Sequence, residues 1–202
     1  MLTKKQPKNF QLGRPWAQGQ ARLISAEFEG EKNGPAFHLF NVYFPNGEER
    51  AHPLKFPYKM EFYKNLSQEI QQSEKYKQPL VVMGDFNIAP EDIDIGIGEA
   101  NRKRWLQTGK CSFLPEEREA IQQLFQLGLK DPYRKIYPND HQKFSWFDYR
   151  SAGFEDNPKR GLRIDYALMS SSLFERCFRV EIDYEIRAWN KPSDHCPIIY
   201  DF

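Results

Sequence analysis

The feature that most constrains the fold is an apolar run over residues 79–83, which ends at the polar tetrapeptide Gly84-Asp85-Phe86-Asn87. An apolar run of this length, stopped by a glycine, predicts a buried strand that ends in a turn. A carboxylate and a carboxamide then lie at the carboxyl end of the strand, where open sheets bind their ligands. Their oxygens suit a divalent cation of the magnesium class and the phosphate bound to it. Taken alone, an Asp-x-Asn pair at a strand end is more often a simple turn.

The rest of the chain has the pattern of an α/β protein with mixed sheets. Apolar residues recur at helical spacing in two segments, so helices are predicted over residues 57–76 and 116–127, with Gly128 placed to end the second. Strands are predicted over residues 22–28, 36–44, 79–83, 163–169, 178–186 and 197–202. The first two strands are expected to form an antiparallel hairpin, because the link between them is rich in Gly, Asn and Pro. The long polar stretches between elements are predicted loops.

Composition excludes several classes of protein. Lys and Arg number 29 and Asp and Glu 28, so no overall charge favours nucleic acid, and only a local basic face could do so. Three cysteines without paired spacing predict reduced thiols and a cytoplasmic location. No apolar stretch approaches the ~18 residues of a membrane span, and residues 1–10 lack the apolar core of a secretory signal. A length of 202 residues predicts one domain.

Further polar motifs stand where predicted strands begin or end. They are Asn41-Val42-Tyr43-Phe44-Pro45-Asn46-Gly47, Arg163-Ile164-Asp165-Tyr166 and Ser193-Asp194-His195. In their order and spacing they resemble the endonuclease/exonuclease/phosphatase superfamily. Residues 94–99, 101–106, 109–118 and 144–150 resemble, within it, the exonuclease III class of abasic-site DNA repair nucleases. The resemblance implies a four-layer α/β sandwich, two sheets packed together with helices outside, and a single nuclease domain over residues 1–202.

The resemblance also implies that the domain is incomplete at its N-terminus. Members of the family begin with a strand carrying an Asn, followed by a strand that ends in a Gln-Glu pair whose Glu is the principal metal ligand. Residues 1–4 instead resemble the end of an internal strand. We therefore expect Met1 to be an internal methionine, or the start of a truncated or split gene. A chain shortened on purpose is the alternative.

Site roles follow from the same resemblance. Asp85 is expected to orient and deprotonate the attacking water, and Asn87 to hold that water or the phosphate. His195, paired with Asp165, is expected to bond a phosphate oxygen or to transfer a proton, and Tyr43 to lie near the scissile phosphate. The implied ligands of Mg²⁺, with Mn²⁺ as an alternative, are Asp85, Asn87, Asp194 and His195. Each residue also has a structural interpretation: His195 as part of a capped turn, Asp165 as an ordinary salt-bridge partner, and Tyr43 as core.

Two segments are candidates for contact with DNA. Trp146 and Phe147 lie in an aromatic loop, and the resemblance implies that the Trp packs where the abasic deoxyribose lies; the alternative is that the loop uses its aromatics as an anchor to the core. Arg102 and Lys103 belong to the densest basic run, which suits phosphate contacts or a solvated face. Arg22 is a further candidate for backbone contact.

Two functions of different classes remain open at this point. The first is a magnesium-dependent exodeoxyribonuclease and abasic-site endonuclease. It would act as a monomer on double-stranded DNA, cut 5′ to abasic sites and trim 3′ ends. The second is a catalytically inactive fragment or DNA-binding remnant, because the family's N-terminal Glu is lacking. A separate N-terminal fragment that complements the chain is a third possibility.

Overall fold

The protein is described here by a computed structural model that covers residues 6–30, 34–73, 76 and 79–202. These residues form seven strands: β1 (Lys8–Leu12), β2 (Leu23–Phe28), β3 (Phe37–Tyr43), β4 (Leu80–Asp85), β5 (Asp165–Met169), β6 (Arg179–Ile182) and β7 (Ile198–Asp201). They also form six α-helices: α1 (Lys55–Gln72), α2 (Glu99–Thr108), α3 (Pro115–Gln126), α4 (Pro132–Ile136), α5 (Ser171–Arg176) and α6 (Tyr184–Arg187).

Strands β1 to β5 form one sheet in sequence order, and β6 and β7 form a second. β2 and β3 are antiparallel, as the predicted hairpin requires, although residues 31–33 of its turn lie outside the described part of the chain. β3 and β4 are parallel, and helix α1 connects them. β5 then pairs antiparallel with β4, so the sheet is mixed, as the sequence predicts.

Each face of the five-stranded sheet packs against a different layer. On one face, alternate residues such as Phe40 and Val82 join a buried cluster with Leu66 of α1 and Leu124 of α3. On the other face, Val81, Ala167 and Met169 pack against Val180 and Ile182 of the second sheet. Full burial of each such side chain contributes about 1.5–3 kcal/mol. Two sheets packed together, with helices outside, are the arrangement that the resemblance implies.

Several predicted boundaries were wrong, for local reasons. The strand expected over residues 178–186 ends at Ile182, because the Asp183 side chain accepts a hydrogen bond from the Ile186 N–H at 3.0 Å and caps helix α6. Helix α1 begins and ends earlier than predicted, with Ser73 in an extended conformation after its last residue. Helix α2 occupies a stretch that was expected to be a loop.

Two further regions lie near the N-terminus. Strand β1 was not predicted at all, and it pairs with β2 along the edge of the sheet. Residues 1–4, which the resemblance placed at the end of an internal strand, lie outside the described residues. Over the residues that the structure covers, no helix combines the length and the apolar character needed to cross a bilayer.

Candidate active site

Strands β3 and β4 end, and strand β5 begins, at the same end of the sheet, which brings their polar residues side by side. The register pairs Tyr43 of β3 with Asp85 of β4, and Asp85 with Asp165 of β5. Gly84 allows this close approach, because its φ is +134° and a Cβ there would lie 2.0 Å from the carbonyl oxygen of Val42. Residues that are 42 and 80 positions apart in the sequence thus become neighbours through strand pairing alone.

Asp85, Asp165 and His195 form the centre of the site. One potential ligand atom of each lies within 4.8 Å of the others. The Nδ1 of His195 donates to both carboxylate oxygens of Asp165, at 2.9 and 2.8 Å. The nearby Arg163 is engaged elsewhere, with Asp94 at 2.6 Å and with a second buried carboxylate. Asp165 is therefore the partner of the imidazole and does not pair with that arginine.

The electrostatics of the site place two groups near their useful protonation states. Burial raises the pKa of Asp85 to about 7, the negative charge of Asp165 adds to the rise, and His195 opposes it. Burial lowers the pKa of His195, but the hydrogen bond and charge of Asp165 outweigh this effect and raise it to about 9. At neutral pH the imidazole is therefore cationic, while the Asp85 carboxyl can take or release a proton.

Asn87 holds the carboxylate of Asp85 in position. Its backbone adopts a left-handed conformation with φ +53°, which an Asn tolerates better than most residues. The Asn87 N–H donates to one oxygen of Asp85 at 2.8 Å, and Nδ2 donates to the other at 2.7 Å. The Oδ1 of Asn87 accepts a hydrogen bond from Nδ2 of Asn46 at 2.8 Å. The Asn46 interaction was not predicted, although Asn46 lies in a motif that the sequence singled out.

A buried lysine donates hydrogen bonds to the backbone of both asparagines. Lys59 of α1 has no solvent exposure, and its Nζ donates to the carbonyl oxygens of Asn46 at 3.1 Å and Asn87 at 2.8 Å. It also pairs with Glu117 of α3, whose other oxygen accepts the backbone N–H groups of residues 112 and 114. The sequence signal for Lys59 was available, because it stands three residues before Phe62 in the apolar stripe of α1.

A cleft of about 440 Å³ lies above the site, and it is lined by Asn46, Asp85, Asn87 and His195. Its remaining walls include Trp146 and Asp194, and the Trp146 Nε1 donates to an Asp194 oxygen at 3.0 Å. Lys110 and Arg150 also line the cleft. Tyr43 is exposed at its edge, and the guanidinium of Arg22 lies 4.8 Å from the centre of the Tyr43 ring.

The other candidate DNA-contact residues lie away from this cleft. Phe147 is fully buried and packs against Phe154, so the loop uses this aromatic as a core anchor. Arg102 pairs with Asp92 at 2.6 Å, and Lys103 pairs with a glutamate one turn earlier in α2. Neither basic residue lines the cleft. Lys110 and Arg150 line the cleft instead.

The donor set fits a hard divalent cation. Two carboxylates and one imidazole converge, and burial together with the negative charge of Asp165 raises the pKa of Asp85, so a cation placed between the carboxylates would be stabilised there. Of the predicted ligands, Asp85 and His195 belong to this group, whereas Asn87 and Asp194 line the same cleft. The group also includes Asp165, which the sequence assigned only as the partner of His195.

Comparison with known proteins agrees with this geometry. The chain belongs to the Endonuclease/Exonuclease/phosphatase family, whose model matches residues 2–195. It is 52% identical over 204 aligned residues to an exodeoxyribonuclease III of Haemophilus influenzae, and the alignment covers 100% of this chain and 75% of that protein. The resemblance to the exonuclease III class is thereby confirmed.

Solved structures confirm the fold class. A Neisseria 3′ phosphatase, NExo, bound to a product DNA hairpin superposes with a TM-score of 0.85 at 34% identity, over 99% of this chain and 72% of that one. An AP endonuclease from Archaeoglobus fulgidus gives 0.83 at 30% identity, over 98% and 71%. The predicted α/β sandwich of this family is therefore correct.

Proposed function

We propose that the chain is a DNA repair nuclease that hydrolyses DNA phosphodiesters 5′ to abasic sites and trims 3′ ends. The observation that carries the proposal is the cluster of Asp85, Asp165 and His195, of which Asp85 and His195 line the cleft. The names of the similar proteins, exodeoxyribonuclease III and AP endonuclease, support the substrate class. The DNA hairpin bound to the Neisseria relative supports DNA as the partner.

The chain's own residues supply the proton transfer and the charge that hydrolysis needs. Asp85, with a pKa of about 7, accepts the proton of the attacking water, and Asn87 fixes the direction of its carboxylate. The His195 imidazolium, held by Asp165, bonds a phosphoryl oxygen and stabilises the negative charge that builds up there. Tyr43 offers its exposed phenol to the same phosphate from the end of β3.

Mg²⁺ is the proposed cofactor, with Mn²⁺ as the alternative. Asp85 and Asp165 would hold it, with Asn87 and Asp194 nearby in the cleft. His195 would be a ligand only as the neutral imidazole, because the imidazolium that bonds the phosphate has no lone pair for a metal ion. When bound, the ion supplies positive charge to the phosphoryl oxygens and lowers the pKa of water.

The duplex is proposed to lie across the cleft. Trp146 would pack against the abasic sugar, since it lines the cleft beside Asp194, and Lys110 and Arg150 would contact nearby phosphates. Arg22, Arg102 and Lys103 remain candidates for contact with more distant backbone. We propose that residues 1–202 act as one nuclease domain and as a monomer in the cytoplasm, where three buried free thiols would stay reduced.

The test uses a duplex with one abasic-site analogue, labelled at the 5′ end of the strand that carries it. In Mg²⁺ we expect the first labelled product to end in a 3′ hydroxyl immediately 5′ to the site, and longer incubation to shorten this product from its 3′ end. A chelator should remove the cut, and added Mn²⁺ should restore it. If no divalent cation gives a cut, or if the cut persists in chelator, the proposal is wrong.

A further inference from the structure

A second groove lies next to the cleft. Asp148 lines both cavities, so the groove and the cleft adjoin at this residue. Two aromatic side chains stand open on the walls of this groove, Tyr149 with 58% and Trp189 with 65% exposure. Single exposed aromatics are ordinary on protein surfaces, but two that face one groove beside an active site form a stacking surface. We call this feature the aromatic groove; its other lining residues are Ala152, Phe154, Glu155, Lys159, Arg187, Ala188 and Pro192.

A buried cation without an anionic partner opens onto the aromatic groove. Arg187 is 6% exposed, and its Nε has no hydrogen-bond partner. Within the described ranges of the chain, no salt bridge involves its guanidinium, which instead lies 4.7 Å from the ring centre of Phe154 and 5.6 Å from that of Tyr149. A buried charge without an anionic partner is costly, and an anion that enters the groove would offset that cost.

The other charged residues of the aromatic groove are Asp148, Glu155 and Lys159. The Asp148 carboxylate accepts a hydrogen bond from the Arg150 N–H at 2.9 Å, and it is thereby turned towards the backbone of its own turn. Lys159 adds a second positive charge at the groove, where its Nζ lies 3.9 Å from the centre of the Phe154 ring. Glu155 is exposed at the rim.

We propose that the aromatic groove binds an unpaired nucleotide of the DNA substrate. Its base would stack on Trp189 and Tyr149, and its phosphate would bond the Arg187 guanidinium. Aromatic side chains combined with a cation are the usual means of binding single strands without sequence preference, and guanidinium suits phosphate. The inference rests on the proposed nuclease function and extends it to strands frayed at a 3′ end.

The aromatic groove is continuous with the cleft, so a single DNA strand could pass from one to the other. The Tyr149 hydroxyl donates to the carbonyl of Pro192 at 2.6 Å, and Pro192 lies three residues before His195. The loop that carries the catalytic imidazole is therefore also a wall of the aromatic groove. A DNA strand that leaves the cleft at Asp148 would therefore contact Tyr149 and Trp189 in the aromatic groove.

The test measures binding of a fluorescein-labelled single strand of six thymidines, in chelator, at several salt concentrations. Trp189→Ala should weaken binding about 5- to 100-fold, because stacking on one aromatic accounts for about 1–3 kcal/mol. Arg187→Met should lower the slope of log K against log salt by about 0.7, the loss of one phosphate contact. Matched controls are Phe178→Ala, an aromatic with 73% exposure, and Arg179→Met, an arginine paired with Glu181 on the second sheet. Both controls should bind like the unchanged chain.

The outcomes separate this inference from the proposed function. If Trp189→Ala binds within twofold of the unchanged chain, or if the unchanged chain does not bind the single strand, the groove is not a nucleotide site. This result would stand even if abasic duplex is cut normally. If Arg187→Met does not fold, Tyr149→Ala replaces it, and an unchanged ratio of frayed-end to blunt-end trimming in that variant overturns the inference. Loss of abasic cleavage with intact single-strand binding would instead refute the proposed function.

Discussion

At the scale of single residues, the ion pair between His195 and Asp165 makes a stability contribution that depends on pH. The folded-state pKa of His195 is raised from its ordinary 6.5 to about 9, because the hydrogen bond that His195 donates to Asp165 and the charge of Asp165 outweigh the effect of burial. The stabilisation is therefore fully present below pH ~6.5, and it is lost as pH rises through about 9.

We therefore predict that His195→Gln lowers the melting temperature most at pH 6 and least at pH 10. The measurement is thermal unfolding of both proteins in chelator at pH 6, 8 and 10. His141→Gln is the matched control, since His141 is exposed and bonds only a neighbouring carbonyl among the residues described here. A melting-temperature difference for His195→Gln that stays constant from pH 6 to 10 would contradict the assigned ion pair.

At the scale of elements, the buried pair of Lys59 and Glu117 joins helices α1 and α3 beneath the site. We predict that Lys59→Met lowers the free energy of unfolding by about 3–5 kcal/mol, because it leaves the Glu117 carboxylate buried and unpaired. Urea unfolding measures this loss. The nuclease rate should fall as well, since the carbonyls of Asn46 and Asn87 lose their common donor.

The control for this prediction is Lys103→Met, which removes an exposed lysine paired with Glu99. Its loss should be below about 1 kcal/mol. A Lys59→Met variant that is as stable as this control would show that the buried pair does not stabilise the contact between helices α1 and α3.

Elements with strong local signals were predictable from the sequence. Strand β4 follows from its apolar run. Helix α3 follows from its apolar stripe, which has Pro115 at its start and Gly128, with φ +87°, after its end. Helix α6 was missed because Tyr184 and Ile186 continue the strand-like pattern of β6, and only the cap at Asp183 marks the change. The cap is a local hydrogen bond that stabilises the helix by about 1 kcal/mol, and the apolar pattern of the sequence does not reveal it.

At the scale of the whole molecule, the members of the site were predictable but much of their support was not. The motifs named Asp85, Asp165 and His195, and strand register then brings them together. For Phe147 the sequence left DNA contact and a core anchor both open, because only the packing of the loop against Phe154 and Tyr184 decides between them. Lys59 was missed although it stands in the apolar stripe of α1, because its partner Glu117 lies on another helix, 58 positions along the chain.

The packed core also protects the three thiols. Cys111, Cys177 and Cys196 are free and buried, and burial raises the pKa of Cys111 and of Cys196 to about 12. We predict that a thiol reagent at pH 8 labels none of them in the folded protein within minutes and all three in denaturant. Rapid labelling of the native protein would show that one of the buried clusters opens locally.

The central claim is that Asp85 takes the proton of the attacking water in a centre that it shares with Asp165 and His195. Its most direct test is the cleavage rate of abasic duplex by Asp85→Asn, compared with the unchanged chain, with duplex affinity measured in chelator. We predict that the rate falls about 10²- to 10⁴-fold while affinity changes less than threefold, because the substitution removes a proton acceptor and preserves the shape of the side chain. A rate within threefold of the unchanged chain would contradict the account.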